Sequence, residues 1–201
     1  MSKPRRNIKK FPEIVKEIQE KWLKEKDVFR LMFQDEARFG RISDHRRCWC
    51  PAPERPICLS QVSQENTYAY GAVSFPDGQF ESLVLPHCDT DCMQVFLEEV
   101  SSRHLEEKIL MVTDRAGWHK SKSLNIPGNI RLCFLPPYSP ELNPVEHIWD
   151  ELKEKGSHNM VFSSLDALED HLVYELRKLE DAPEVIRSIV SWPWIINGLM
   201  T

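Results

Sequence analysis

The run Ile109-Leu110-Met111-Val112 constrains the fold more than any other stretch, because four consecutive apolar residues show no period. A short unbroken apolar run marks a strand covered on both faces. It ends at Asp114, and residues 129–137, NIRLCFLPP, repeat the pattern as a second buried strand stopped by prolines. Residues 28–40, VFRLMFQDEARFG, alternate instead, so Phe29, Leu31 and Phe33 share one strand face. TYAYGAVSF and QFESLVL flank the turn Pro76-Asp77-Gly78 and read as a hairpin. Residues 11–26 carry a helical stripe of Ile14, Ile18, Trp22 and Leu23. The segment after His87 reads as a helix capped by Thr90 or Asp89, and further helices are expected at about 143–155, 164–180 and 183–191. That order predicts α/β architecture: one mixed sheet, three antiparallel strands followed by parallel strands, with helices over both faces.

At 201 residues the chain is expected to form one compact domain, and its net charge of −5 excludes a generally basic nucleic-acid-binding chain. Basic residues nevertheless cluster, at Lys3, Arg5, Arg6, Lys9 and Lys10, and again at Arg38, Arg41, Arg46 and Arg47. Either group can meet phosphates or simply be solvated. No apolar run has the roughly 18 residues a membrane-crossing helix needs, and no secretory leader is evident, so a cytoplasmic location is expected. The cysteines, Cys48, Cys50, Cys58, Cys88, Cys92 and Cys133, form no Cys-x-x-Cys pair. Unpaired thiols are therefore expected ahead of a zinc-binding module.

Three carboxylates carry the chemical argument. Continuing the alternation of the first strand puts Asp35 on the apolar face with Leu31 and Phe33, and Glu36 on the other. An ionised acid buried there without a partner costs several kcal/mol, on the order given for buried charges. Asp114 stands at the carboxyl end of a buried strand, where ligands collect in open α/β sheets. Glu146 falls in the first turn of a helix that buries Val145, Ile148, Trp149 and Leu152. With Asn143 as N-cap and Pro144 at N1 it occupies the glutamate slot of a capping box, which is a sufficient structural role. Together, the three acids can converge at one sheet edge, where they repel one another unless cations neutralise them. Carboxylate oxygens suit Mg²⁺ or Mn²⁺, and two such ions about 3.5–4 Å apart can serve an in-line phosphoryl displacement.

The stretches FQDEARFG (33–40), VTDRAGWHKS (112–121) and FLPPYSPELNPVEHIWDELK (134–153) occur in the order found in one family. The chain resembles the catalytic domain of DDE transposases of the mariner-like superfamily, in its bacterial insertion-sequence branch, over about residues 12–190. The resemblance implies an RNase H-like fold, Asp35, Asp114 and Glu146 as catalytic and metal-binding triad, and two Mg²⁺ or Mn²⁺ ions. It also implies hydrolysis at transposon ends and strand transfer into double-stranded target DNA, typically at TA, by a homodimer. Residues 40–65 would be a clamp-like loop reaching DNA or a partner subunit. His119 follows Asp114 in the family's pattern, and it joins Arg38, Arg46, Arg47 and Asn143 as residues expected to touch DNA or support the carboxylates.

Two departures bear on activity: Arg115 stands where the family usually has Asn, and the 31 residues between Asp114 and Glu146 are somewhat fewer than usual. Residues 1–26 are expected to be a basic tail and lead-in helix, the remnant of a linker to an absent helix-turn-helix domain. Residues 27–201 would then be the catalytic domain. The alternative is an inactive transposase remnant that serves as a dimerisation or DNA-bridging module.

Overall fold

The computed structural model describes residues 11–42, 49–54, 57, 59–75, 77–136, 142–154 and 160–191. Five strands form one sheet: β1 (Val28–Gly40), β2 (Asn66–Phe75), β3 (Phe80–Leu85), β4 (Glu107–Thr113) and β5 (Ile130–Phe134). Their spatial order is β3-β2-β1-β4-β5. The first three pair antiparallel, while β4 runs parallel to β1 and β5 parallel to β4. This is the expected mixed RNase H-like sheet. β2 and β3 are joined by a hairpin whose Gly78 has φ +76°, a left-handed backbone that glycine adopts without a steric penalty.

Helix α1 (Phe11–Trp22) precedes the sheet and α2 (Thr90–Arg103) crosses from β3 to β4. α3 (Val145–Leu152), α4 (Leu165–Glu180) and α5 (Pro183–Val190) follow β5. One sheet face, with Leu31, Phe33, Leu110 and Val112, packs against α1, α3, α4 and α5. The opposite face, with Met32, Tyr70, Ile109 and Met111, packs against Met93, Phe96, Leu97 and Val100 of α2. Asp89 starts α2 by accepting the Cys92 amide at 2.9 Å, and the 93/96/97/100 spacing then keeps one side buried. Each such fully buried side chain contributes about 1.5–3 kcal/mol. Ile109 to Val112 are wholly buried, as their unbroken apolar character requires.

Three expectations about packing are corrected. In α1 the buried residues are Phe11 and Val15, whereas Ile14 is exposed: the helix ends at Trp22, and its docked stripe is Phe11, Val15 and Ile18. β5 is the edge strand, with Ile130 and Cys133 buried and Arg131 exposed. The Arg131 guanidinium lies 4.7 Å from the centre of the Trp22 ring, so the long cation stays wet while bracing the lead-in helix. α3 begins at Val145 rather than at Pro144, with consequences for Glu146 described below.

Candidate active site

β1 is longer than its parallel neighbour. Its register with β4 runs from Val28 to Phe33, while its register with β2 continues to Gly40. From Gln34 onward β1 therefore borders a crevice at the carboxyl ends of β4 and β5, the place where open α/β sheets gather ligands. Asp35 is the second residue of that overhang and faces the same side as Leu31 and Phe33, as its alternation requires. The strand does not end before it.

α3 closes the crevice on that side. Val145, Ile148, Trp149 and Leu152 are buried, which fixes the rotation of the helix and leaves Glu146 exposed in its first turn. The capping box expected from the sequence does not form. Pro144 is the N-cap and Glu146 is the second helical residue. Asn143 Oδ1 instead accepts the Val145 amide at 3.3 Å, a local Asx-type bond, while its Nδ2 donates to the Gln34 carbonyl at 2.9 Å. Asn143 thus pins the start of α3 to β1, and Glu146 is not committed to its own cap.

Trp149 does more than fill the core. Its Nε1 donates to Asp35 Oδ2 at 3.1 Å. Burial pushes the Asp35 pKa well above the usual carboxylate range, the charges of Glu146 and Glu36 add to that rise, and the Trp149 bond and the Glu36 amide oppose it. Among the described residues no Lys or Arg pairs with Asp35. A carboxylate in that position calls for a cation.

Asp114 leaves the end of β4 with its side chain half exposed. Its Oδ1 accepts the Ala116 amide at 2.8 Å and lies 2.8 Å from His119 Nδ1. His119, on a short 3₁₀ turn (Trp118–Lys120), is buried, and its Nε2 lies 2.9 Å from Glu36 Oε1. Trp118 Nε1 donates to the same Glu36 oxygen at 3.2 Å. Burial alone would lower the His119 pKa, but the hydrogen bond and charge of Glu36, with the charge of Asp114, raise it overall. Alternation places Glu36 on the second face of β1 but gives it no role; an acid there, opposite Asp35, also needs a partner.

The Cys88 thiol reports on the same space. Its pKa is pushed up to about 12 by burial and by the charges of Glu36, Asp35 and Asp114, against a bond from Tyr70. The charges of these three acids are thus all felt at one thiol near the sheet edge. Yet among the described residues no three His, Cys, Asp or Glu side chains stand close enough together to hold a metal ion as they are. Mutual repulsion of uncompensated carboxylates is the physical reason for such spreading. The donor set nevertheless fits a hard divalent cation: it consists of carboxylate oxygens at an open crevice, with Asp35 disfavoured as an anion until countercharge arrives.

Of the other expected residues, Arg38 is exposed and bonds Asn66 Oδ1 at 2.9 Å across the β1–β2 pair. Arg46 and Arg47 lie outside the described residues, as do Cys48 and Cys58. Cys50 is exposed, Cys88 partly buried, and Cys92 and Cys133 buried, all as free thiols. Arg115 Nε donates to the Leu135 carbonyl at 3.0 Å, so the departure from the family pattern ties the segment after β4 to the end of β5. Within the 40–65 excursion, Trp49, Ile57, Leu59 and Val62 are exposed. No helix among the described residues is long and apolar enough to cross a membrane.

Residues 30–169, spanning the three carboxylates and the elements that carry them, match the DDE superfamily endonuclease family. The chain belongs to that family. A curated relative, the uncharacterized protein y4pE/y4sA of Sinorhizobium fredii, is 40% identical over 129 residues, 63% of this chain and 95% of that protein. Among solved structures this DDE chain is similar to a pre-cleavage Mos1 transpososome, with a TM-score of 0.56 and 12% identity over 96% of this chain and 65% of that one. The Mos1 strand transfer complex gives 0.54 and 13% over 96% and 64%. The Mos1 mariner paired end complex with Mn gives 0.53 and 13% over 92% and 62%. At such identities the likeness establishes the RNase H-like transposase fold. The chain spans slightly under two thirds of the length of these Mos1 chains.

Proposed function

We propose that this DDE endonuclease domain is the catalytic domain of a transposase, cutting phosphodiesters at transposon ends and joining them to double-stranded target DNA. Asp35, Asp114 and Glu146 are its catalytic carboxylates and would hold Mg²⁺ or Mn²⁺, two ions in the complete complex. The observation that carries this reading is Asp35: a carboxyl on an apolar strand face, at the carboxyl edge of the sheet, under the charges of Glu146 and Glu36 and without a described cationic partner. A capping or turn role accounts for Glu146 or Asp114 singly but leaves the cost of Asp35 unexplained. Mos1 complexes of the same fold were determined with Mn and with Mg, which is consistent with divalent-ion use here.

When bound, such ions supply the Lewis acidity that activates water and offsets charge on the leaving oxygen. The chain's own residues do the rest. Trp149 holds Asp35 Oδ2, while the buried face of α3 keeps Glu146 exposed in its first turn. The Ala116 amide and His119 fix one oxygen of Asp114. The exposed apolar residues of the 40–65 excursion fit a clamp role toward DNA or a second copy in a homodimer. A TA target and action in the cytoplasm belong to the same reading. The test is nicking of supercoiled DNA in Mn²⁺, expected for the native chain and lost in Asp35→Ala, Asp114→Ala and Glu146→Ala. Nicking that survives all three substitutions overturns the assignment.

A further inference from the structure

Three consecutive residues of β1 each hold one of the elements around the crevice. The Gln34 carbonyl takes Asn143 Nδ2 ahead of α3, Asp35 takes Trp149 Nε1 from α3, and Glu36 takes His119 from the turn after Asp114. Glu36 does so on the sheet face opposite Asp35. The Glu36 link alone continues onward, through the His119 ring to Asp114. The Glu36 side chain is 6% exposed and that of His119 1%. Glu36 Oε1 receives both Trp118 Nε1 and His119 Nε2, and the far ring nitrogen of His119 meets Asp114 Oδ1 at 2.8 Å and Thr113 Oγ1 at 2.9 Å.

Asp114 itself is 57% exposed, so its carboxylate has room to rotate. Burying an acid, an imidazole and an indole N–H together only to orient a turn is costly, unless the orientation matters. Both contacts to Asp114 fall on Oδ1, which leaves Oδ2 as the oxygen available to a ligand.

We propose that Glu36 is a positioning residue for Asp114, acting through His119: the buried Glu36–His119 pair fixes which oxygen of Asp114 faces the crevice. The claim rests on the reading of Asp114 as a metal-holding carboxylate, although the side-chain coupling can be tested without any metal. Partners that orient a ligating group typically change metal affinity by about 10–100-fold when removed.

The experiment uses two readouts on the full chain. In metal-free protein, the side-chain carboxyl ¹³C resonance of Asp114, assigned by its loss in Asp114→Asn, is followed in Glu36→Ala, Glu36→Gln and His119→Ala. Glu36→Ala is expected to move it, and to move it no further when His119→Ala is already present. Glu36→Gln keeps an acceptor for His119 Nε2 and is expected to stay close to the native shift. In parallel, Mn²⁺ affinity measured by electron paramagnetic resonance is expected to fall about 10-fold or more in Glu36→Ala and to be largely retained in Glu36→Gln.

An Asp114 resonance unmoved by Glu36→Ala, or moved equally with and without His119, overturns the proposal. Should Glu36→Ala fail to fold, Glu36→Asp, one methylene short of His119, gives the same two readings. Asp35→Asn with native Mn²⁺ affinity would instead overturn the triad reading, and the Asp114 resonance would still decide the positioning claim.

Discussion

Gly71→Ala tests the packing that holds Asp35 in place. Gly71 lies opposite Asp35 in the β1–β2 register, and Trp149 and Phe80 close over it. A Cβ built there falls 2.7 Å from Trp149 Cη2 and 2.8 Å from Phe80 Cε2, where ordinary contact is 3.4–4 Å. Neither ring can swing aside. Trp149 is 1% exposed, Phe80 3%, and they pack edge-to-face with centroids 6.2 Å apart. The Gly71 backbone is not left-handed, so alanine brings no strain of its own and would otherwise stabilise by about 0.4–1 kcal/mol through the unfolded chain.

Overpacking of a tight core typically costs about 1–3 kcal/mol, so the net effect is a destabilisation of about 1–2 kcal/mol. At about 2–4 °C per kcal/mol for a chain of this size, Tm should fall by about 2–8 °C. The displaced indole also loosens its bond to Asp35, so Mn²⁺ affinity should fall with stability. Adding Phe80→Leu, which vacates space on one side of the new methyl, should recover part of both. Thermal and urea unfolding measure the first effect and metal titration the second. A Gly71→Ala protein as stable as the native chain would refute the close approach of Trp149 to this strand, and with it the account of how Asp35 is held.

Asp35→Asn should stabilise the metal-free protein at neutral pH. The folded Asp35 pKa is raised by burial and by Glu146 and Glu36, so its penalty is absent below the ordinary value of about 3.9 and grows as pH rises through the folded value. Urea unfolding of both proteins across that range should show the gain shrinking toward about pH 4, and a constant difference contradicts it. His104, buried with Nε2 3.0 Å from Glu81 and Nδ1 2.9 Å from Glu107, also lowers stability as pH rises, but by losing a favourable contribution. The Glu81 bond, against burial, raises its pKa, so its contribution is full below the ordinary value of about 6.5 and is lost as pH rises through the folded value. His104→Gln should therefore cost more stability at about pH 6 than at about pH 9, and an equal cost at both refutes a charged His104.

The sheet was legible because its signals are local: an unbroken apolar run for β4, alternation for β1, a Pro-Asp-Gly turn for the hairpin. The placement of Asp35 followed from alternation alone. What was not legible depends on neighbours that sequence does not order. The apolar string around Arg131 reads as a buried strand, and only the sheet order, with β5 paired on one side to β4, shows that it is an edge. Ile14 fits a helical stripe as well as Val15 does, until docking selects one rotation. Asn143 and Pro144 spell a cap, but the Asn143 amide is taken by the Gln34 carbonyl, a contact 109 residues away in sequence. The role of Glu36 was hidden for the same reason: its partners, Trp118 and His119, are 82 and 83 residues distant.

The central claim is that Asp35, Asp114 and Glu146 act together on a phosphodiester. Its most direct test is conversion of supercoiled to nicked DNA by the full chain in Mn²⁺, compared with Asp35→Ala, Asp114→Ala and Glu146→Ala proteins shown to be folded by circular dichroism. The account predicts nicking that requires the divalent ion and disappears in each variant. Cleavage that persists in all three variants, or that proceeds equally in chelator, would contradict it.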